Sequence, residues 1–375
     1  MFKLNYNRER VAEAKDLLVR WYNCEKIERT PFVYSITPEK SGTWLPAQPY
    51  NYCEAINDSE KAVEGQLLSI QHQFDTFPDC DYLPYMTLAY LGEGILASMY
   101  GAKQYIVEKN PPFTEGRFFK DIYEAQNIDN SIDFEKTEWC KILKEHVTRF
   151  VEATNGEIPV GSPDYQSPYG TATKLVPNEE LILAMYDEPE LVKNFLSVIT
   201  DGIIKLLKIM EKWIGADLIA TNIKVPVPQK TGIIIWDDYI SVLNPGLHTQ
   251  ICAPFNKRLF NEFGQGHLHT CGPYFPGYVN ACLECNPKSM DIITMRGTGK
   301  SREDLISFLE ITRKRNILLF GQLTVNETSI FEKGTKQGDD ELLEMFIRGG
   351  YMPASGGTLE KGIKFRETIN RIGRK

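Results

Sequence analysis

Eight short β-rich runs, separated for the most part by helical stretches, predict an α/β fold, a (β/α)8 TIM barrel. Two further observations support that expectation. No Ser/Gly-rich linker interrupts the alternation, and 375 residues suit one large core with some decoration. The expected organisation is a single barrel domain over residues 1–375, with residues 1–30 as an N-terminal helical extension.

In chain order, the expected strands are 32–36 (FVYSI), 82–87 (YLPYMT), 157–161 (EIPVG), 217–221 (DLIAT), 266–270 (GHLHT), 291–295 (DIITM), 317–322 (ILLFGQ) and 350–354 (GYMPA). The clearest helix is 201–214, where Ile203, Leu206, Leu207, Met210, Trp213 and Ile214 recur on one face. Two helix starts carry capping signals. In Asp187-Glu188-Pro189-Glu190 an acid stands at the N-cap with proline in the first turn, and in Ser301-Arg302-Glu303-Asp304 an acid stands at N3. Residues 58–75 read as a further helix packed outside the barrel.

Composition excludes several classes. Apolar residues at 42% and charged residues at 25% rule out disorder and collagen-like repetition. With 42 Lys plus Arg against 50 Asp plus Glu, the net charge of −8 argues against a broad phosphate-binding surface, so no nucleic-acid partner is expected. No apolar run approaches the roughly 20 residues of a membrane span, and the N-terminus becomes charged too early for a secretory signal. A cytoplasmic protein without a membrane partner is the expectation. Eight cysteines scattered along such a chain read as free thiols or metal ligands, not as a disulfide framework.

In a barrel of this kind, chemistry sits at the C-terminal ends of the strands. Asp81 and Asp217 begin strands and read as structural. Glu93, Asp164, Asp237, Asp238, Arg296 and Glu327 follow strands and fall on the chemical face. Asp237 and Asp238 are the catalytic candidates, in WDD at 236–238, and Glu93, Arg296 and Tyr169 are the candidates for touching substrate.

The densest chemical signal is GHLHTCG at 266–272. Alternate residues of a strand share a face, so His267, His269 and Cys271 point one way. His269 and Cys271 lie at the strand's C-terminal end, where an imidazole and a thiolate can bind zinc together. His267 lies about 13 Å below Cys271 by strand rise, which suits an interior residue better than a third ligand. Cys282 and Cys285, a C-x-x-C in NACLECNP, read as buried helix cysteines. GTGKS at 297–301 lacks the first glycine of a phosphate loop, since Thr294 stands there.

HLHTCG, preceded by WDDYISVLNPGLHTQICAPFNKRLFNEFG, resembles the uroporphyrinogen decarboxylase superfamily, and its H-x-C-G is similar to that of the corrinoid-dependent methyltransferase branch. The blocks DYLPYMTLAYLGEGILASMYG, VGSPDYQSPYGTATKL, MYDEPELVKNFL and RGGYMPASGGTLE agree in order, covering most of residues 60–375. The resemblance implies a (β/α)8 barrel holding zinc through His269 and Cys271. It also implies a corrinoid supplied by a carrier protein, a small-molecule methyl donor or acceptor, and barrels able to pair as a homodimer. The second cysteine of that branch has no counterpart here: MPASGGT places Ser355 or Gly356 in its position, leaving Asp237, Asp238 or Glu327 as possible oxygen ligands. True uroporphyrinogen decarboxylases carry an arginine-rich segment after the first strand and an aspartate near the end of the second. Here those places read SITPEKSGTWLPAQPY, without arginine, and Thr87-Leu88. Three readings therefore stand: a zinc-dependent methyltransferase first, then a porphyrinogen decarboxylase opposed by the missing arginines, then a binding protein of the same fold whose catalysis has lapsed.

Overall fold

The computed structural model describes residues 3–36, 49–216, 221–222, 225–226, 233–264, 266–272, 276–292, 301–321, 324–325, 328–329 and 337–373. Six strands form a parallel sheet: β1 (Val33–Ile36), β2 (Ile234–Trp236), β3 (His267–His269), β4 (Ser289–Ile292), β5 (Leu318–Gly321) and β6 (Met352–Gly357). Their spatial order is β1-β6-β5-β4-β3-β2. Between β1 and β2 the wall continues through two further extended segments, joined by a parallel bridge between Met86 and Val160. Backbone bonds tie them to their neighbours, from Asp81 N to Phe32 O on one side and from Ser167 N to Trp236 O on the other. The result is the eight-membered circuit of a (β/α)8 barrel.

The fourth member differs from the sequence expectation. Residues 217–220 lie outside the described residues, and Thr221–Asn222 pairs antiparallel with Val225–Pro226. The barrel strand is instead Ile234–Trp236, within the run IIIW. A parallel strand buried on both faces reads as a continuous apolar run without alternation, so it gives no period-two signal. This correction puts Asp237 and Asp238 directly at a strand's C-terminal end.

Alternation along the strands sorts side chains between two cores. Ile235, Leu268, Met290 and Leu319 face outward into the layer beneath the helices. Val33, Ile234, Trp236, Leu318, Phe320, Met352 and Ala354 face inward. From β3 and β4 the inward positions are polar, being His267, His269, Ser289 and Asp291, all buried. Gly266 makes the close approach of β2 and β3 possible, because a Cβ there would lie 1.9 Å from the Ile233 carbonyl oxygen.

Helix α1 (Arg8–Tyr22) is the expected N-terminal extension. It packs Ala14, Leu18, Trp21 and Tyr22 onto the inward-facing core, and Trp21 Nε1 donates to the Gly350 carbonyl at 2.9 Å. Near this end Asp81, 1% exposed, accepts from both terminal nitrogens of Arg29 at 2.6 Å, from Arg10 at 3.0 Å and from the Phe32 amide at 2.8 Å.

The outer helices follow their sequence signals closely. Helix α2 (Ser59–Thr76) is capped by Asp58, and α3 (Pro189–Ile214) buries Ile203, Leu206, Leu207 and Met210 along the expected face. Its start lacks the expected side-chain cap: Asp187 ends the preceding helix Asn178–Asp187, and Glu188 stands at the N-cap without a capping hydrogen bond. Helix α4 (Arg302–Lys314) has the complete reciprocal cap between Ser301 and Asp304.

Candidate active site

At the C-terminal end of β3, His269 is buried while Cys271 is partly exposed. Gly272, at φ +102°, turns the chain away from the strand immediately afterwards, a conformation that favours glycine. The Cys271 Sγ stands 3.7 Å from His269 Nε2, and Asp238 Oδ1 stands 3.2 Å from the same nitrogen. One ligand atom from each of these three residues lies within 4.8 Å of the others. Among the described residues they are the group of three placed to share a cation.

The register of β3 on β4 supplies the opposite side of His269. His267 pairs with Ser289, so two residues further on His269 meets Asp291. His269 Nδ1 lies 2.7 Å from Asp291 Oδ2. His267 sits one layer deeper, with Nδ1 3.0 Å from Ser289 Oγ, Nε2 3.5 Å from Asp291 Oδ1, and its ring stacked on Phe320. Its place is interior, as the strand spacing led us to expect.

The charges follow from this geometry. Burial works to lower the pKa of His269, but the charge and hydrogen bond of Asp291 and the close carboxylate of Asp238 outweigh it and hold the imidazole well above its ordinary value. Burial likewise opposes ionisation of Asp291, yet the two histidines hold its carboxyl far below the carboxylate range. Burial pushes the Cys271 thiol up to about 11, only partly countered by His269. His267, with burial dominant, falls below its ordinary value.

The two aspartates of WDD face different surroundings. Asp237 is buried, and both its oxygens meet polar neighbours: Ser167 Oγ donates to Oδ1 at 2.9 Å, Asn256 Nδ2 donates to Oδ2 at 2.8 Å, and His248 Nε2 lies 2.7 Å from Oδ2. Its amide donates to the His269 carbonyl at 2.9 Å, which ties the turn after β2 to β3. Asp238 points instead toward His269 and Cys271. Its Oδ1 is buried without a well-formed hydrogen bond. Burial raises its pKa, but contact with His269 and Cys271 leaves it lowered.

The mouth beside Asp238 carries further polar groups. Asp164 accepts from Gln166 Nε2 at 2.7 Å, and its pKa is raised to about 7 by burial and by the nearby charges of Asp238 and Glu93. Glu93 pairs with the buried ammonium of Lys174 at 2.6 Å, and that ammonium also donates to Tyr239 OH at 2.9 Å. Tyr169 is buried, its hydroxyl donating to Asn178 Oδ1 at 2.8 Å and its ring set edge-on to Tyr239. Arg296, Glu327 and Asp217 lie outside the described residues.

The structure thus gathers His269, Cys271 and Asp238, sets Glu93 nearby through Lys174, and turns Asp237 and Tyr169 into the supporting framework. Sequence reasoning passed over Asp291, Gln166, Lys174, Tyr239 and His248. A signal for Asp291 was present, since an acid inside an apolar strand run such as DIITM needs a partner. Cys282 lies in the helix Pro276–Leu283 and Cys285 just beyond it, and burial pushes both thiols well above their ordinary values. All eight cysteines are free thiols.

A (β/α)8 barrel that gathers an imidazole, a thiol and several carboxylates at its mouth has the layout of an enzyme. The model of the uroporphyrinogen decarboxylase (URO-D) family matches residues 13–292, and the chain belongs to that family. Among solved structures, a methyltransferase from Methanosarcina mazei is similar over 96% of this chain and 98% of its own, at 15% identity and a TM-score of 0.64. That likeness is one of fold. Comparison with curated proteins gives no match. No helix among the described residues is long and apolar enough to cross a membrane.

Proposed function

We propose that this protein is a zinc-dependent methyltransferase, moving a methyl group between the corrinoid of a partner protein and a small thiol or methylated substrate. The observation that carries the proposal is the convergence of Asp238, His269 and Cys271 within 4.8 Å at the barrel mouth. These residues fit a zinc ion on their own chemistry. They offer one nitrogen, one sulfur and one oxygen donor, would leave room on a zinc ion for substrate, and include a buried carboxylate oxygen without a well-formed hydrogen bond. Asp238 would take the place of the second thiolate that the segment around Ser355 lacks.

When bound, zinc supplies Lewis-acid activation of a substrate sulfur or heteroatom. The chain's own residues do the rest. Asp291 fixes the His269 ring through Nδ1, so that Nε2 faces the mouth, an outer carboxylate arrangement that raises ligand basicity. Asp237, locked by Ser167, His248 and Asn256, holds the turn from which Asp238 projects. Lys174, Glu93 and Tyr239, with Tyr169 packed behind, would form the polar edge against which substrate lies. Among the described residues, three carboxylates at the mouth, Glu93, Asp164 and Asp238, face the buried ammonium of Lys174 and the His269 imidazole, which Asp291 already balances. That balance opposes a substrate with many carboxylates, because each buried anion needs a compensating cation. It supports methyl transfer over decarboxylation of a porphyrinogen.

The test is metal content and turnover together. Purified wild-type protein is expected to hold about one zinc per chain, and His269→Ala and Cys271→Ala to lose it. With a methylated corrinoid carrier, only the zinc-loaded wild type should methylate a small thiol. Turnover by a wild type stripped of metal would overturn the zinc reading.

A further inference from the structure

Gln166 has a backbone that its residue type rarely adopts: φ is +60°, in the left-handed region, and the residue is 1% exposed. Such conformations persist only where the surroundings over-determine them, and they cluster at functional sites. Both chain neighbours are pinned to β2. The Tyr165 hydroxyl donates to the Ile234 carbonyl, and the Ser167 amide donates to the Trp236 carbonyl at 2.7 Å. Ser167 Oγ meanwhile holds Asp237. The peptide on either side of Gln166 is thereby fixed to the strand that carries Asp238.

The side chain spans two acids. Gln166 Nε2 lies 2.7 Å from Asp164 Oδ1 and 3.5 Å from Asp238 Oδ2. Asp238 therefore has its two oxygens divided, Oδ2 toward Gln166 and Oδ1 toward His269. Gly170 leaves the room the side chain takes, since a Cβ there would come within 3.0 Å of Gln166 Cβ and Oε1. A glutamine held by its backbone and donating through Nε2 into both carboxylates is placed to aim them.

We propose that Gln166 is a positioning residue, which presents Asp238 through Oδ1 alone as the oxygen ligand and keeps Asp164 from displacing it. This inference rests on the metal reading above.

The test is titration of the metal-free full-length protein with Co2+, following the absorbance of tetrahedral cobalt–thiolate coordination, with thermal unfolding measured alongside. Gln166→Gly removes the amide and the strain together. Gln166→Asn keeps a residue that tolerates the left-handed region but shortens its reach, and it remains decisive if the glycine variant does not fold. Both are expected to bind Co2+ about 10- to 100-fold more weakly, as outer-shell substitutions do, with unfolding midpoints close to wild type. In an Asp238→Ala background the same changes should cost nothing further, because Gln166 acts through Asp238. Equal affinities in wild type and variants would overturn the role of Gln166 alone. A loss that persists in the Asp238→Ala background would also overturn it. A wild type that takes up no Co2+ would overturn this inference together with the metal reading.

Discussion

The two ends of the barrel each bury acid, and they treat it differently. At the lower end, Asp81 receives two guanidinium groups and a backbone amide, and its oxygens are fully satisfied. At the mouth, Asp238 keeps one buried oxygen without a well-formed hydrogen bond, and Asp164 lies near two other carboxylates and, among the described residues, takes a hydrogen bond from a glutamine amide alone. The first arrangement is complete and holds the fold together. The second is incomplete, and on the proposed reading that is where a metal ion would sit.

The largest expected effect breaks the lower end. Asp81→Ala strands Arg29 and Arg10 and leaves the Phe32 amide without its acceptor. Since both arginines are partly exposed, the loss of stability should be about 2–4 kcal/mol, below the full cost of opening a buried pair. Urea denaturation measures it, and the protein that remains folded should bind zinc as wild type does. A loss of zinc affinity in folded Asp81→Ala would erase the distinction between the two ends.

Next in size is Asp291→Asn, which sharpens the contrast at the mouth. The amide cannot match the carboxylate that orients His269, so zinc affinity should fall about 10- to 100-fold while the thiol remains in place. Competition with a chromogenic chelator reads the change. Unaltered affinity would show that Asp291 serves the fold alone.

The smallest effect concerns pH. Asp164 has its pKa raised to about 7 in the folded protein against an ordinary value near 3.8. Its favourable contribution is therefore complete below about pH 4 and disappears as pH rises through about 7. Asp164→Asn should stabilise the metal-free protein by about 1 kcal/mol at pH 8, after allowance for its partial exposure, and by almost nothing at pH 4. Thermal unfolding at the two pH values is the check. A variant less stable than wild type at pH 8 would sink the argument.

The difference between the two ends also explains what could be read from the sequence. Periodicity exposed helix α3 and placed His269 beside Cys271, because both depend on neighbours along the chain. The Ser301 cap was legible for the same reason. Strand β2 was not, since IIIW is apolar throughout and carries no alternation to separate it from a buried helix segment. Asp291 needed the register of β3 on β4, a long-range fact, before its meeting with His269 could be seen. Asp237 and Asp238 are identical neighbours in sequence. Only the packing of Ser167, His248 and Asn256 tells which one is spent inside the protein. Gln166 was invisible because nothing in a sequence announces a positive φ at glutamine.

Helix α1 has a bearing on traffic. With Trp21 seated beneath Phe320 and bonded to Gly350, the shaft below His267 is stoppered by aromatic side chains. Among the described residues this closes the floor of the barrel, so on the proposed reading both reactants would come to the partly exposed Cys271 from the mouth.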